Sequence, residues 1–389
     1  MPRPDKLRVV TFLDTLVTGG AERMAVTIAA RLDPERFEST VCVYKPSRQA
    51  PLASGLEAAA IPVLHLNRSH QAALWNWKPL LQLLRQERTH VLHSHKTGPN
   101  VWGTMLGRIA GVPVVVAHDH AGGPDRTRMR HVIDRELIGR GADAFVTVSE
   151  AHRTSMIDVE GIQPDKVRVI RNGIERLRPA TTDLRRDLGL SANAPVVGTI
   201  AVLRPEKALE VLIEAAGLLA PRFPSLRVLI AGSGPEEHRL RDLVRRLRLE
   251  ETVCLLGFRE DIADVLAALD VAVFTSDREG MPLAMIEAMA AGRPIVATRI
   301  EGIPELVTDG EEALLVPPRH PKALAEAVAR LLEDRDLRDR LGARAQERQR
   351  RELDIQTTVQ AFQDLYDELF AKSRRRRRPP SESSLSHQS

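Results

Sequence analysis

The chain has 389 residues, 43% of them hydrophobic and 28% charged, and its two cysteines, Cys42 and Cys254, are far apart and form no CxxC pair. That length allows two domains of ordinary size, each with its own core, and the cysteine usage excludes a disulfide framework or a thiolate metal site. The net charge of +4 resides in the end of the chain: from residue 372 there are six basic residues and one acid, so the remainder is one unit negative. No nucleic-acid partner is expected, because the body has no basic domain and the aromatic content is only 3%, too little for base stacking.

Short apolar runs alternate with helical patterns throughout, as in parallel α/β sheets covered on both faces. The opening MPRPDKLRVVTFL has only a strand-length apolar core, Leu7 to Leu13. No run approaches a membrane span, which points to a cytoplasmic location. After Gly19-Gly20, Ala21, Met24, Ala25, Ile28 and Leu32 fall at helical spacing. Further strands are expected at Thr40–Tyr44, Val91–His93, Pro113–Ala117, Ala144–Val148 and Val167–Ile170. A second set comprises Pro195–Ile200, Leu226–Ala231, Val253–Leu256, Val271–Thr275, Pro294–Ala297 and Ala313–Val316.

These sets divide the chain into domains at 1–178 and 195–353, with the poorly patterned 179–194 as a linker. A helix follows over 354–371, and 372–389 reads as a disordered basic tail without an apolar face. Two doubly wound sheets would present the carboxyl ends of their strands to a shared cleft, where ligands of such sheets bind.

The chemistry-bearing residues follow the same order. Gly19-Gly20-Ala21-Glu22 closes the first strand-to-helix turn, where glycines and free helix N–H groups admit a phosphate; an ordinary tight turn reads the same way. Trp75 and Trp77 read as core packing, and Arg126, Arg128, Arg130 and Arg135 as a solvated helix face. At a cleft mouth the same residues would suit a lipid-diphosphate acceptor. His93-Ser-His95 and His118-Asp-His120 end two strands of the first domain. Histidines two apart point the same way on a strand, so a metal site is one alternative. Gly232-Ser-Gly234 lacks the third glycine of a dinucleotide fingerprint, and Pro235 starts the helix instead.

Between Ser276 and Glu305 the chain reads SDREGMPLAMIEAMAAGRPIVATRIEGIPE. Glu279 and Glu287 are eight residues apart across a Gly280-Met281-Pro282 turn, with Leu283 next in the chain, that starts a helix. One carboxylate precedes the helix and the other lies about two turns along it. The free N–H groups between them offer a place for a diphosphate, and carboxylates accept strong bonds from hydroxyls. Such a pair can grip a sugar at one end and a ribose at the other.

This ordered string resembles the donor site of glycosyltransferase family 4, the retaining nucleotide-sugar transferases of GT-B fold. The matching parts are Glu279, Glu287, the small-residue helix Ala288-Met289-Ala290-Ala291, Gly292-Arg293-Pro294, the strand Ile295–Thr298 and the corner Gly302-Ile303-Pro304-Glu305. The resemblance spans Leu7 to Phe370. It implies two Rossmann-like domains facing across a cleft, acceptor side first and donor side second. It also implies transfer of a sugar from a nucleoside diphosphate to an acceptor hydroxyl, with retention and without a metal or other cofactor. In the front-face mechanism proposed for the family, the departing diphosphate itself helps deprotonate the acceptor.

By the same resemblance Glu279 holds the donor sugar, Glu287 the ribose and Lys207 the diphosphate. Gly19 and Gly20 face the ligands, Gly232 and Gly234 line the nucleotide side, and Phe258 and Arg259, after Gly257, border the base. Asn172-Gly173 matches the family's Asn-Gly turn. The family's donor-sugar histidine fits either His118 or His120, the Thr-x-His form favouring His120 and the His-Asp form His118. The sequence departs from the pattern where the family has an arginine five residues before the lysine: here that position is Val202, with Arg204 a candidate substitute, and Ala208 replaces a glycine.

The expected partners are a nucleoside-diphosphate sugar and a glycan or lipid-linked acceptor in cell-surface polysaccharide or glycolipid synthesis. A peripheral contact with the inner face of an anionic membrane through Arg374–Arg378 is a further expectation. A sugar-nucleotide epimerase of the same architecture and a non-catalytic nucleotide- or glycan-binding module are the alternatives.

Overall fold

The computed structural model describes residues 4–17, 19–46, 50–66, 74–120 and 132–376, apart from the side chains of 74 and 75. The chain divides into two compact units. The first contains Arg153–Ile170, the described residues before Val148, and those from Thr358 on; the second contains Val148–His152 and Arg171–Thr357.

The first unit holds strands β1 (Leu7–Leu13), β2 (Phe37–Val43), β3 (Val63–His65), β4 (Val91–His95), β5 (Val114–His118), β6 (Ala144–Thr147) and β7 (Val167–Val169). They pair in the order β3-β2-β1-β4-β5-β6-β7, all parallel. The second unit holds β8 (Val196–Ile200), β9 (Arg227–Ala231), β10 (Val253–Gly257), β11 (Val271–Phe274), β12 (Ile295–Thr298) and β13 (Ala313–Val316). Their order is β10-β9-β8-β11-β12-β13, again parallel. Each order reverses direction once, beside β1 in the first sheet and beside β8 in the second. That reversal is the switch point at which open sheets of this kind bind ligands.

The strands expected from apolar runs are present, with ends shifted by a few residues. The edge strand β3 was not anticipated. It is only three residues long, with Pro62 before it and His65 within it, and its residues are half-buried or exposed. The expected linker also differs: 179–194 is bound to the second unit. Backbone and hydroxyl groups of Thr181 and Thr182 donate to the Asp264 carboxylate, at 2.7 and 2.6 Å for the N–H groups. Asp183 caps the short helix Leu184–Asp187, and Arg185 donates to the Ala268 carbonyl at 2.8 Å.

The last helix, Ile355–Arg376, extends past the expected end at 371. Lys372 and Arg374–Arg376 are therefore helical rather than part of a disordered tail. Basic residues suit the last turn of a helix, where carbonyls are unpaired, and Lys372 also pairs with Glu368 four residues earlier. Arg377, Arg378 and the rest of the tail lie outside the described residues.

Val359, Phe362, Tyr366, Leu369 and Phe370 of this helix are buried at the spacing of one helical face. Each such side chain contributes roughly 1.5–3 kcal/mol by burial, enough to hold the helix on the first unit. Trp77 is buried in the same unit, its ring against Phe12, Tyr44 and Trp102, as expected of core packing.

Candidate active site

In the second unit, the carboxyl ends of β8 and β11 meet at the switch point. β8 leads into the 3-10 turn Pro205–Lys207, and β11 leads into the loop that carries Glu279. Backbone contacts join the two: Asp277 N–H donates to the Glu206 carbonyl at 2.9 Å, and the Thr275 hydroxyl donates to the Lys207 carbonyl at 2.9 Å. The ammonium of Lys207 is paired with Oε1 of Glu279, which also accepts from the Ser276 hydroxyl at 2.7 Å. Ser276 is held in turn, since its carbonyl accepts from the Thr298 hydroxyl at 2.6 Å.

Lys207, Ser276, Glu279 and Pro282 line a small pocket with Thr199 and Ala201. The Lys207 and Glu279 side chains are 23% and 12% exposed, so both are partly shielded yet reachable by a ligand. Arg319 braces the loop from outside, with its guanidinium across the Asp277 carboxylate at 2.8 and 2.9 Å and a further contact to Glu210.

Pro282 precedes the helix Leu283–Ala290 in extended conformation. Met281 and Leu283 are buried, and the Met281 carbonyl accepts from the Asn172 amide at 3.0 Å, giving the Asn-Gly turn a structural role. Glu287 is 5% exposed on the same helix and is not among the residues lining the pocket.

The corner of the motif explains why residue 302 is a glycine. Gly302 has φ +72, and a Cβ there would stand 1.9 Å from the Gly280 carbonyl. Gly302→Ala should therefore strain the backbone and displace the Glu279–Gly280 segment, costing roughly 1–3 kcal/mol and weakening donor binding. Gly310→Ala is the comparison, since Gly310 has φ +77 but open space around it. Thermal unfolding of the two variants checks this: a Gly302→Ala protein as stable as Gly310→Ala would contradict it.

On the other side of β8, the Gly232 N–H donates to the Gly257 carbonyl at 2.7 Å, and Leu203 bonds to Ser233 and Glu236 at 3.0 Å each. The Gly232–Gly234 turn is thus tied to the loop that leads to Lys207. Phe258 is exposed. Arg259 lies beside it with its guanidinium on Asp261, Nε donating at 2.8 Å. Arg204 is half-exposed, 3.9 Å from Glu206, and is not among the residues lining the pocket.

A model described as Glycosyl transferases group 1 matches residues 180–348, and one described as Glycosyltransferase Family 4 matches 18–176. A D-inositol 3-phosphate glycosyltransferase of Saccharomonospora viridis is 32% identical over 308 residues, 73% of this chain and 71% of that one. The chain belongs to glycosyltransferase family 4. An Escherichia coli UDP-Gal:alpha-D-GlcNAc-diphosphoundecaprenol alpha-1,3-galactosyltransferase is 27% identical over 82% of this chain and 86% of its own. Among solved structures, HepE of Anabaena in complex with UDP-glucose superposes with a TM-score of 0.83 at 26% identity, covering 92% of this chain and 99% of that one. The fold is GT-B.

This family 4 glycosyltransferase carries its other expected site residues in the first unit. Gly19 is extended and precedes the helix Gly20–Arg31. Glu22 is buried and pairs with Lys96 at 2.6 Å, tying the turn after β1 to the end of β4. β5 ends at His118, so His118 and His120 are not a strand pair, and the same-face argument applies only to His93 and His95. His118 is fully buried; its backbone N–H donates to the Asn100 side chain at 3.2 Å, and its carbonyl accepts from it at 3.1 Å. His120 is only half-buried, with Nε2 3.0 Å from His95 Nδ1.

Burial pushes the His93 imidazole down to about 3 and that of His95 well below its ordinary value, nearby histidines adding to both effects. Both rings are therefore neutral near pH 7. Sequence reasoning assigned no role to Ser276, Thr275 or Thr298, although Ser276 opens the motif. Arg126, Arg128, Arg130 and the Trp75 side chain lie outside the described residues. Among the described residues, no helix is long and apolar enough to cross a membrane.

Proposed function

We propose that this glycosyltransferase moves a hexose from a nucleoside-diphosphate sugar to an acceptor hydroxyl with retention of configuration. The observation that carries the reading is the Lys207–Glu279–Ser276 group in the switch-point pocket. An ammonium and a carboxylate at the carboxyl ends of adjacent strands suit the two ends of a donor, the diphosphate and the sugar hydroxyls.

In this reading Lys207 stabilises the departing diphosphate, Glu279 orients the sugar and Glu287 holds the ribose. Gly232, Gly234, Phe258 and Arg259 border the nucleotide, and Gly19 and Gly20 belong to the donor-binding set. His120 rather than His118 contacts the donor sugar, because His118 is fully enclosed. HepE, whose structure was solved with UDP-glucose, supports a uridine nucleotide as the first donor to try. The galactosyltransferase named for a diphosphoundecaprenol substrate supports a lipid-linked acceptor. The protein acts in the cytoplasm.

The test is incubation with a panel of nucleoside-diphosphate sugars, with and without acceptor, and determination of the product's anomeric configuration by NMR. Transfer with retention is expected; inversion, or epimerised donor without acceptor, would overturn the reading. The diphosphate charge is met by Lys207 and the helix N–H groups rather than by a metal, so turnover should persist when chelator is added to the assay. Loss restored by magnesium or manganese would count against this.

The basic run Arg374–Arg378 is the proposed membrane contact. Each arginine near an anionic surface gains about 1 kcal/mol, and salt weakens the attraction. Changing Arg374–Arg378 to serine should abolish salt-sensitive sedimentation with anionic vesicles and spare turnover on a soluble acceptor. Sedimentation unchanged in the variant would refute the contact.

A further inference from the structure

In the first sheet, His93 lies opposite Val116 and His95 opposite His118. Partners across a parallel pair share a side of the sheet, and residues two apart on a strand share a face. His93, His95 and His118 thus project from one face, and all three are fully buried. The last helix covers them: the Phe362 ring packs on His93 and His118, and Tyr366 Oη is 2.6 Å from His93 Nδ1.

His93 and His95 share a pattern. Each has Nδ1 engaged, with Tyr366 or His120, and each has an Nε2 without a hydrogen-bond partner among the described residues. Buried polar atoms are seldom left so, and two of them side by side call for an occupant. One ring nitrogen from each of His93, His95 and His118 lies within 4.8 Å of the others.

We propose that these three histidines form a buried site for a divalent transition metal, with Nε2 of His93 and His95 and a ring nitrogen of His118 as ligands and zinc as the ion. Imidazole sets of this kind suit zinc and its neighbours, whereas magnesium and calcium demand oxygen ligands. Three histidines leave the fourth tetrahedral position for water. With zinc–nitrogen bonds of about 2.0–2.1 Å, tetrahedral ligand nitrogens stand roughly 3.3–3.4 Å apart, so the side chains must rotate to draw the three ring nitrogens, now within 4.8 Å of one another, closer together. Tyr366 and His120 supply the outer contacts that fix the orientation of metal-bound histidines. The ion would join β4 to β5 and, through Tyr366, to the last helix. Its role is structural and independent of the diphosphate chemistry; enclosure makes its exchange slow, so brief chelation leaves it in place.

The full-length protein, produced without a histidine tag, would be dialysed against zinc, desalted and assayed for metal, and its affinity measured by competition with a chromophoric chelator. A single zinc per chain is expected. Tyr366→Phe, which keeps the packed ring, should bind zinc on the order of 10–100-fold more weakly. His118→Ala should lose the stoichiometric ion, and cobalt in the native protein should show tetrahedral absorption bands that His118→Ala lacks. Folded native protein that retains no zinc would overturn the proposal, as would variants that bind it as tightly as the native protein.

Discussion

Lys207→Ala is expected to lower turnover by roughly 100-fold or more, the usual cost of removing a group that stabilises charge developing in the transition state. Its effect on stability should be small. The ammonium is partly exposed and makes one ion pair, and after its loss the Glu279 carboxylate still accepts from Ser276. Glu279→Ala should be comparably slow if, as proposed, the two side chains act on one donor from the pocket they both line.

The double variant separates cooperation from independent roles. If the pair works as a unit, its loss will fall well short of the product of the single losses. Steady-state kinetics with a soluble acceptor, alongside thermal unfolding of each variant, makes the measurement. Near-normal turnover in a folded Lys207→Ala protein would mean that the diphosphate is held elsewhere, with Arg204 the first group to examine.

Glu287→Ala should weaken donor binding by about 1.5–3 kcal/mol, the worth of hydrogen bonds to a charged group, which corresponds to roughly 10- to 150-fold in dissociation constant. The residue lies on the helix Leu283–Ala290, whose Ala284 lines the pocket together with Pro282 just before it. Because it is almost fully buried, the alanine variant also leaves a small void. Glu287→Gln keeps the shape and removes the charge, and should show most of the loss. Calorimetric titration with a nucleoside diphosphate and with its sugar reads the effect. Equal affinity for native and glutamine proteins would remove Glu287 from the ribose.

By itself the sequence determined the alternation of strand and helix, and hence two parallel sheets, because strands buried on both faces must be continuous apolar runs. It also determined the motif from Glu279 to Glu305. The spacing from Glu279 to Glu305 is local, and a turn, a helix and a strand built on consecutive residues are written in consecutive residues. Only the tertiary structure decided what meets across the chain. Lys207 and Glu279 are 72 residues apart, and their pairing follows from β8 lying beside β11, an order that no local pattern encodes.

The same holds for the histidines. The sequence kept both His118 and His120 as candidates with a lean to His120, whereas the end of β5 at His118 and the cover of Phe362 enclose one and leave the other half-exposed. Tyr366 reaches His93 from 273 residues away, so the convergence of three imidazoles depends on strand register and on where the last helix docks. The helical state of Lys372 to Arg376 likewise depends on that docking, since residues 358–370 are anchored by burial and the basic turns continue from a helix already formed. Local propensity sets which elements can form; long-range packing free energy selects which side chains they bring together.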